Sequence, residues 1–326
     1  MSKKRKDIKV QKSLKIFLSD LSLRFCGAFF LLPSTADLVS QDLSSSFETL
    51  KPQATFEQGH RYFKKPHEVD AYFVKVKGGS NKNVQAYLKH YRPLILSASH
   101  TFDIPFSFQS CLIFKESRFN KKAVSSVGAL GMAQFMKDTY SFLAKALYAG
   151  KKSLEQEGLS ILEAESFDLF ESKTNIEKSN LKKQREIYRR MYLRWQAYLD
   201  TNSLDEINLS KISYKKALKM PEYAIGFSSM YLFYLKQRVE FKLKKTVLGE
   251  HLLRHPDFFL SVAGAYNQGA RRLFRAIDRH KKKPRFAKWI SYQSRVGETK
   301  DYIRSIRTCM KSERSEATGV GPVAAF

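Results

Sequence analysis

Apolar side chains recur at helical spacing along most of this 326-residue chain, and that periodicity limits its fold more than any other feature. One such stripe consists of Ile187, Met191, Trp195 and Tyr198, with arginines on another face of the same helix. We found no convincing alternation of apolar and polar residues of the kind that a half-buried strand requires. The sequence therefore predicts an all-α (mainly α) protein. A packing face is the first interpretation of the stripe, and a basic amphipathic helix on a membrane is the alternative.

Further helical patterns contain or border the polar residues considered below as candidates for function. They cover 83–101, 105–117, 130–148, 221–243, 256–267 and about 298–312. Pro105 suits a helix start, because a proline in the first turn removes no helical hydrogen bond. No apolar stretch of the sequence reaches the length of a membrane-spanning helix.

The chain is strongly basic, with a formal net charge of +27. Such a charge predicts an anionic partner, which could be nucleic acid, an acidic membrane surface or a polyanionic cell wall. A solvated basic surface without a partner is the alternative. The sequence has no zinc-finger spacing and no aromatic RNA-binding signature, so we expect no specific nucleic-acid partner.

The cysteines and histidines do not form a recognisable ligand set. Cys26, Cys111 and Cys309 have neither metal-binding nor redox spacing, and the seven histidines are scattered. The sequence therefore predicts no metal site.

The N-terminus has the order of an export signal. Residues 1–15 include seven lysines and arginines, an apolar region follows at 25–32, and Ser34 and Ala36 stand where a cleavage site needs small residues. Asp20 and Arg24 interrupt the apolar residues between the basic segment and 25–32, so a basic arm before an ordinary core segment is the alternative. Cys26 lacks the preceding small residue of a lipidated cysteine. We predict an exported protein of the periplasm or cell envelope, and leave open whether the N-terminus is cleaved or kept as an anchor.

Glu116 is the first candidate for chemistry. Leu112 and Ile113 lie one turn before it on the same face of the predicted helix. Desolvation by such neighbours penalises a carboxylate, which raises its pKa and suits it to act as a general acid near neutrality. A solvated glutamate at a helix end is the alternative.

The residues after Glu116 leave room for a sugar. Gly128 and Gly131 permit close backbone approach, and Gln134 offers a donor and an acceptor at one point. Together with Ser125 they predict a groove for a saccharide with hydroxyl and N-acetyl groups.

Polar groups also end two later helices. Tyr266 and Asn267 close an apolar helix, and Glu298 and Tyr302 lie four residues apart on one helical face. Core packing for the tyrosines and a helix cap for Asn267 are the alternatives.

Four blocks in this order, ESRFNKKAVSSVGALGMAQFM, AIGFSSMYL, AYNQG and ETKDYI, resemble the catalytic domain of the lytic transglycosylases. The resemblance covers about 85–148 and 221–306. It implies a fold similar to goose-type lysozyme, in the lysozyme-like superfamily, with a helical insertion at about 150–219. We therefore expect a linker or N-terminal extension at 37–82 after a signal peptide or basic arm at 1–36. The catalytic domain would cover 83–312, and a flexible tail 313–326.

The resemblance also implies roles for individual residues. Glu116 would act first as acid and then as base. Ser117, Glu298 and Tyr302 would support it, with Tyr302 orienting the carboxyl group. The expected saccharide contacts are Ser125, Gln134, Met136, Tyr266 and Asn267. No cofactor is implied.

The implied activity is cleavage of peptidoglycan glycan strands between N-acetylmuramic acid and N-acetylglucosamine, with formation of 1,6-anhydro ends. One rival is a hydrolase like goose-type lysozyme, in which Asp138 or Glu298 would hold a water. Another is an inactive glycan-binding or scaffold protein whose basic insertion is the working part.

Three positions depart from the family pattern near the proposed groove. Lys137 stands where the family usually has proline, which weakens a helix-ending signal. Met132 and Ala133 replace a common Leu-Met pair, which changes the volume of the groove floor.

Overall fold

The computed structural model describes residues 63–159, 175–207, 212–246, 253, 258–280 and 297–311. The predictions for 1–36, for 313–326 and for the first part of the 37–82 segment lie outside these residues.

The described residues are mainly helical. The helices are α1 (Pro66–Lys77), α2 (Lys82–Ala86), α3 (Arg92–Phe102), α4 (Phe106–Ser117), α5 (Lys137–Leu159), α6 (Asn175–Thr201), α7 (Tyr214–Lys219), α8 (Pro221–Leu243), α9 (Phe258–Gln268), α10 (Ala270–His280) and α11 (Gly297–Met310). A π-helical turn, Tyr87–Tyr91, joins α2 to α3. Pairing between extended residues in the described ranges is limited to isolated bridges. The predicted all-α class is confirmed.

Two helices, α4 and α8, form the centre of the domain. In α4, the residues from Phe106 to Phe114 are all buried, and α8 is buried along most of its length. A helix that is apolar on all sides belongs inside a domain, and α8 accordingly contacts α3, α6, α9 and α10. The C-terminal turn of α4 emerges at the edge of this core.

Helix α1 falls in the segment predicted as a linker or N-terminal extension. Its Val69 and Phe73 are fully buried. The Phe73 ring lies 4.5 Å from that of Phe114 on α4 and 5.0 Å from that of Phe119. The structure differs here from the predicted start at residue 83, because the packed chain begins at least as early as residue 63.

The insertion at about 150–219 contributes to the same core. Helices α5 and α6 pack against each other, and α6 lies on α3 and α8. Met191, Trp195 and Tyr198 are buried, and the Trp195 ring stacks on Phe227 of α8 at 4.8 Å. The stripe on α6 is therefore a packing face, as the first interpretation predicted.

Gly226 explains how α6 approaches α8 so closely. A Cβ atom at this position would lie 2.6 Å from the Tyr198 ring and 2.7 Å from the Trp195 ring. Only glycine leaves room for both rings. None of the helices in the described ranges is long and apolar enough to cross a membrane.

Candidate active site

Helix α4 ends immediately after Glu116 and Ser117. Arg118 and Phe119 take left-handed conformations, with φ of 55° and 61°, and the Arg118 amide donates to the Phe114 carbonyl at 2.8 Å. Phe119 is buried and stacks on Tyr87 with ring centroids 4.2 Å apart. This aromatic contact anchors the chain just past the helix, so the last turn of α4 stays at the edge of the core.

Glu116 is partly buried at this edge. Leu112 and Ile113, one turn before it, are fully buried. Burial raises the pKa of Glu116 to about 7, while the hydrogen bond from Tyr302 and the charge of Lys115 act in the lowering direction. The raised pKa agrees with the expectation drawn from the apolar run. A carboxyl group of this kind is protonated in a substantial fraction of molecules near neutral pH and can donate that proton.

Tyr302 holds one oxygen of this carboxyl group. Its phenol donates to Glu116 Oε1 at 2.6 Å, and its side chain is buried. Burial and the neighbouring Glu116 raise the pKa of Tyr302 well above its usual value. The phenol therefore keeps its proton and remains a hydrogen-bond donor at any pH at which the protein would work.

A disulfide joins the same two helices. Cys111 of α4 is bonded to Cys309 of α11, with the Cα atoms 5.8 Å apart. This pair was not predicted from the sequence, since 198 residues separate the two cysteines. The signal that could have revealed it is their position, because each lies within seven residues of a predicted site residue, Glu116 or Tyr302.

A small loop follows α4, and residues 130–136 belong to it and not to a helix. The predicted helix over 130–148 was therefore placed too early, and α5 begins at Lys137. Leu130 forms isolated bridges with Val124 and Phe135, and Gly131 and Gln134 have φ of 74° and 50°. Left-handed residues at these two positions cannot continue an α-helix.

Lys137 needs a second correction. It is the first residue of α5, so the proline common at this position would stand at the start of a helix, and it would not be a helix-ending signal.

Ser125 and Gln134 help to shape this loop. Ser125 Oγ accepts a hydrogen bond from the Ala129 amide at 2.9 Å, and Gln134 Nε2 donates to the Gly131 carbonyl at 2.9 Å. Both side chains remain partly exposed, and Met136 at the end of the loop is 42% exposed. The loop thus presents polar and apolar groups at the surface while its own hydrogen bonds fix its form.

Tyr266 connects α9 to the loop. Its phenol donates to the Ala133 carbonyl at 2.7 Å, and its ring lies 6.0 Å from that of Phe135. The charge of Glu116 helps to raise the pKa of Tyr266, after burial, so the two groups lie within electrostatic reach. Asn267, the next residue, is exposed.

For the remaining predicted residues, Ser117 and Glu298, the described part of the chain gives no contact with the Glu116 carboxyl group. Ser117 Oγ donates to the Ile113 carbonyl at a long 3.5 Å, within its own helix. Glu298 belongs to the first turn of α11, but its side chain lies outside the described residues. Within the described ranges, no group of three His, Cys, Asp or Glu side chains could hold a metal ion.

The end of the insertion supports the loop from behind. Gly131 lies so close to the Leu218 carbonyl of α7 that a Cβ atom would collide with it. The backbone of α7 therefore sits directly against the glycine that begins the turn to Gln134.

Exposed cations surround this region. The set consists of Lys115, Arg118, Lys121, Lys122 and Lys137. They follow the end of α4, the loop and the start of α5, so an anionic ligand at the loop would meet positive charge on its way in.

Residues 93–164 match the family model described as the Transglycosylase SLT domain. The matched residues include Glu116 and the loop with Ser125 and Gln134, and they end before Tyr266 and Tyr302. No curated protein matches the chain.

Proposed function

We propose that the chain is a peptidoglycan lytic transglycosylase with Glu116 as its single acid and base, on the premise of the match between residues 93–164 and the Transglycosylase SLT domain. The observation that carries the proposal is the state of Glu116. Its pKa is raised to about 7 by burial, and Tyr302 holds it at 2.6 Å beside a loop of suitable groups for a sugar.

The first step uses the protonated form of Glu116. The carboxyl group gives its proton to the oxygen that joins N-acetylmuramic acid to N-acetylglucosamine, and the bond from this oxygen to C1 of the muramoyl sugar breaks. The substrate's own N-acetyl group assists the departure at C1. Tyr302 keeps the carboxyl group oriented without competing for its proton, because its own pKa is raised well above the usual value.

The second step uses Glu116 as a base. The carboxylate takes the proton of the muramoyl 6-hydroxyl, whose oxygen attacks C1 and closes a 1,6-anhydro ring. The glutamate recovers its proton and no water is consumed. One carboxyl group is enough for this sequence, whereas most glycosidases need two.

The loop and α9 supply the saccharide contacts in this proposal. Ser125, Gln134 and Met136 border the groove on one side, and Tyr266 and Asn267 on the other. The hydrogen bond from Tyr266 to Ala133 ties the two sides together at 2.7 Å, which supports a groove of fixed width.

The exposed cations and the disulfide support a place in the cell envelope. Peptide stems of the wall carry carboxylates, which suit the cations around the loop. Disulfides persist in oxidising compartments such as the periplasm. Removal of the predicted signal peptide at 1–36 would also remove Cys26 and leave the Cys111–Cys309 pair.

The test is digestion of purified peptidoglycan with the full chain, followed by mass spectrometry of the soluble fragments. We expect fragments with 1,6-anhydromuramoyl ends, and none from Glu116→Gln. Glu155→Gln, an exposed glutamate on α5, is the matched control and keeps full activity.

Two results would overturn the proposal. Fragments with reducing ends would mean a hydrolase like goose-type lysozyme. Wild-type protein that binds glycan strands without cutting them would mean a binding or scaffold protein.

A further inference from the structure

Two contacts between α4 and α11 determine the position of Tyr302 relative to Glu116, the proposed acid. One is the disulfide from Cys111 to Cys309, and the other is the hydrogen bond from Tyr302 to Glu116. The chain runs from 111 to 116 along α4 while the partners run from 309 back to 302, so the two helices are antiparallel. Because these two contacts lie at different positions along the helix axes, they fix both the distance between the helices and their displacement along each other.

We infer that Cys111 and Cys309 are positioning residues for Glu116, and that their disulfide holds α11 at the height at which Tyr302 reaches the carboxyl group. This inference rests on the proposed function, because it concerns the acid of that reaction. It adds two residues that none of the sequence-based roles included.

Helix geometry explains why the covalent tie matters at the site. Tyr302 and Cys309 lie seven residues apart, on one face of α11 and about 10.5 Å along its axis. Cys111 precedes Glu116 by five residues, about 7.5 Å along α4. The two contacts are thus less than two turns apart on either helix. Because helices are rigid over so short a length, a shift at the disulfide displaces the hydrogen bond by nearly the same amount.

Side-chain packing alone does not fix this height so closely. Ile303, Ile306 and Met310 bury α11 against the domain. Apolar contacts are non-directional and tolerate small displacements, whereas a 2.6 Å hydrogen bond tolerates little. A misplacement of about 1 Å is enough to lower catalysis strongly.

Both cysteines are almost completely buried, at 1% and 2% exposed. The bond therefore forms before or during closure of the domain. Each thiol gives up one proton and one electron, and an oxidised disulfide oxidoreductase of the export compartment accepts both electrons and becomes a dithiol.

The experiment compares the wild type with Cys111→Ser/Cys309→Ser, Tyr302→Phe and the combined triple variant. The pH profile of kcat/KM reports the pKa of Glu116, which is faced by Tyr302, Tyr266 and Lys115. We expect the cysteine variant to lower kcat about tenfold and to move the falling limb of the profile to higher pH. Tyr302→Phe should then lower kcat by a smaller factor in the cysteine variant than in the wild type, since both changes remove the same contact.

A second readout needs no catalysis. The carboxyl pKa of Glu116 is measured by NMR titration of the same proteins with carbon-labelled glutamate. The cysteine variant is expected to show an upward shift in the direction of Tyr302→Phe. If the wild type makes no anhydro products but this shift is present, the proposed function fails and the positioning role stands.

A folded cysteine variant with an unchanged Glu116 pKa and a full Tyr302→Phe effect would overturn the inference, because the disulfide would then act on stability alone. Should the serine variant not fold, Cys111→Ala/Cys309→Val fills the buried space with apolar side chains and is measured in the same way.

Discussion

Glu116 and Tyr302 are joined by a 2.6 Å hydrogen bond although 186 residues separate them in sequence. The bond spans the end of α4 and the first half of α11, at the edge of the core. Burial raises the pKa of Glu116, and this hydrogen bond lowers it. The ionisation of Glu116 is therefore the balance of two opposed effects. That balance can be shifted by single substitutions.

Removal of the phenol should raise the pKa of Glu116. In Tyr302→Phe the carboxylate loses a donor while its burial remains, so we expect the falling limb of kcat/KM, near pH 7 in the wild type, to move up by about one pH unit. The plateau rate should fall about tenfold or more because the carboxyl group is no longer oriented. Steady-state kinetics from pH 5 to 9 measure both. The exposed Tyr148 gives the control Tyr148→Phe, and a limb that stays in place would contradict the assigned role of Tyr302.

Glu116 should also make the fold pH-dependent. Its pKa rises from 4.5 in the unfolded chain to about 7 in the folded protein, so the folded state binds more protons in this window. The free energy of unfolding therefore falls as the pH rises from about 4.5 to 7. Glu116→Gln does not lose stability in this way, because its amide does not titrate. Its free energy of unfolding relative to the wild type should therefore rise by up to about 3 kcal/mol from pH 4.5 to 7. Urea denaturation at several pH values measures the difference, and a constant difference would show that Glu116 has an ordinary pKa.

The features that were predictable from the sequence are local ones. The apolar residues one turn before Glu116 predicted its desolvation, and helical spacing predicted that the stripe on α6 packs. The loop at 130–136 was predicted as helix, because its apolar residues have helical spacing and the left-handed φ of Gln134 leaves no mark in the sequence. The Cys111–Cys309 pair and the contact of α6 with Gly226 depend on residues that only the tertiary structure brings together.

Gly131 should be less tolerant than Gly128, although both have positive φ, of 74° and 84°. A Cβ at Gly131 would collide with the Leu218 carbonyl, whereas Gly128 has no atom within 4 Å of that position. Gly128→Ala should cost about 1–2 kcal/mol from backbone strain alone. Gly131→Ala should cost about 2–4 kcal/mol and displace Gln134, with a loss of about tenfold or more in kcat/KM. Urea denaturation and kinetics compare the two variants, and equal effects would mean that α7 does not support the loop.

Gly226 provides a test of the insertion's place in the core. Gly226→Ala would push against the rings of Trp195 and Tyr198 and should destabilise the protein by about 1–3 kcal/mol, despite the better helix propensity of alanine. Gly79→Ala is the control, because its Cβ would meet only Val74 at an ordinary 3.5 Å. Thermal unfolding of both variants measures this. A Gly226→Ala protein as stable as the wild type would mean that α6 does not pack on α8 as described.

The origin of the new end group tests the central claim most directly. Purified peptidoglycan is digested in water enriched in the heavy oxygen isotope, and the released fragments are weighed by mass spectrometry. If Glu116 directs the 6-hydroxyl of the muramoyl sugar to attack C1 of the same sugar, the fragments carry 1,6-anhydro ends without heavy oxygen. Glu116→Gln then releases no fragments. Reducing ends that contain heavy oxygen would show that water is the acceptor and would contradict the account.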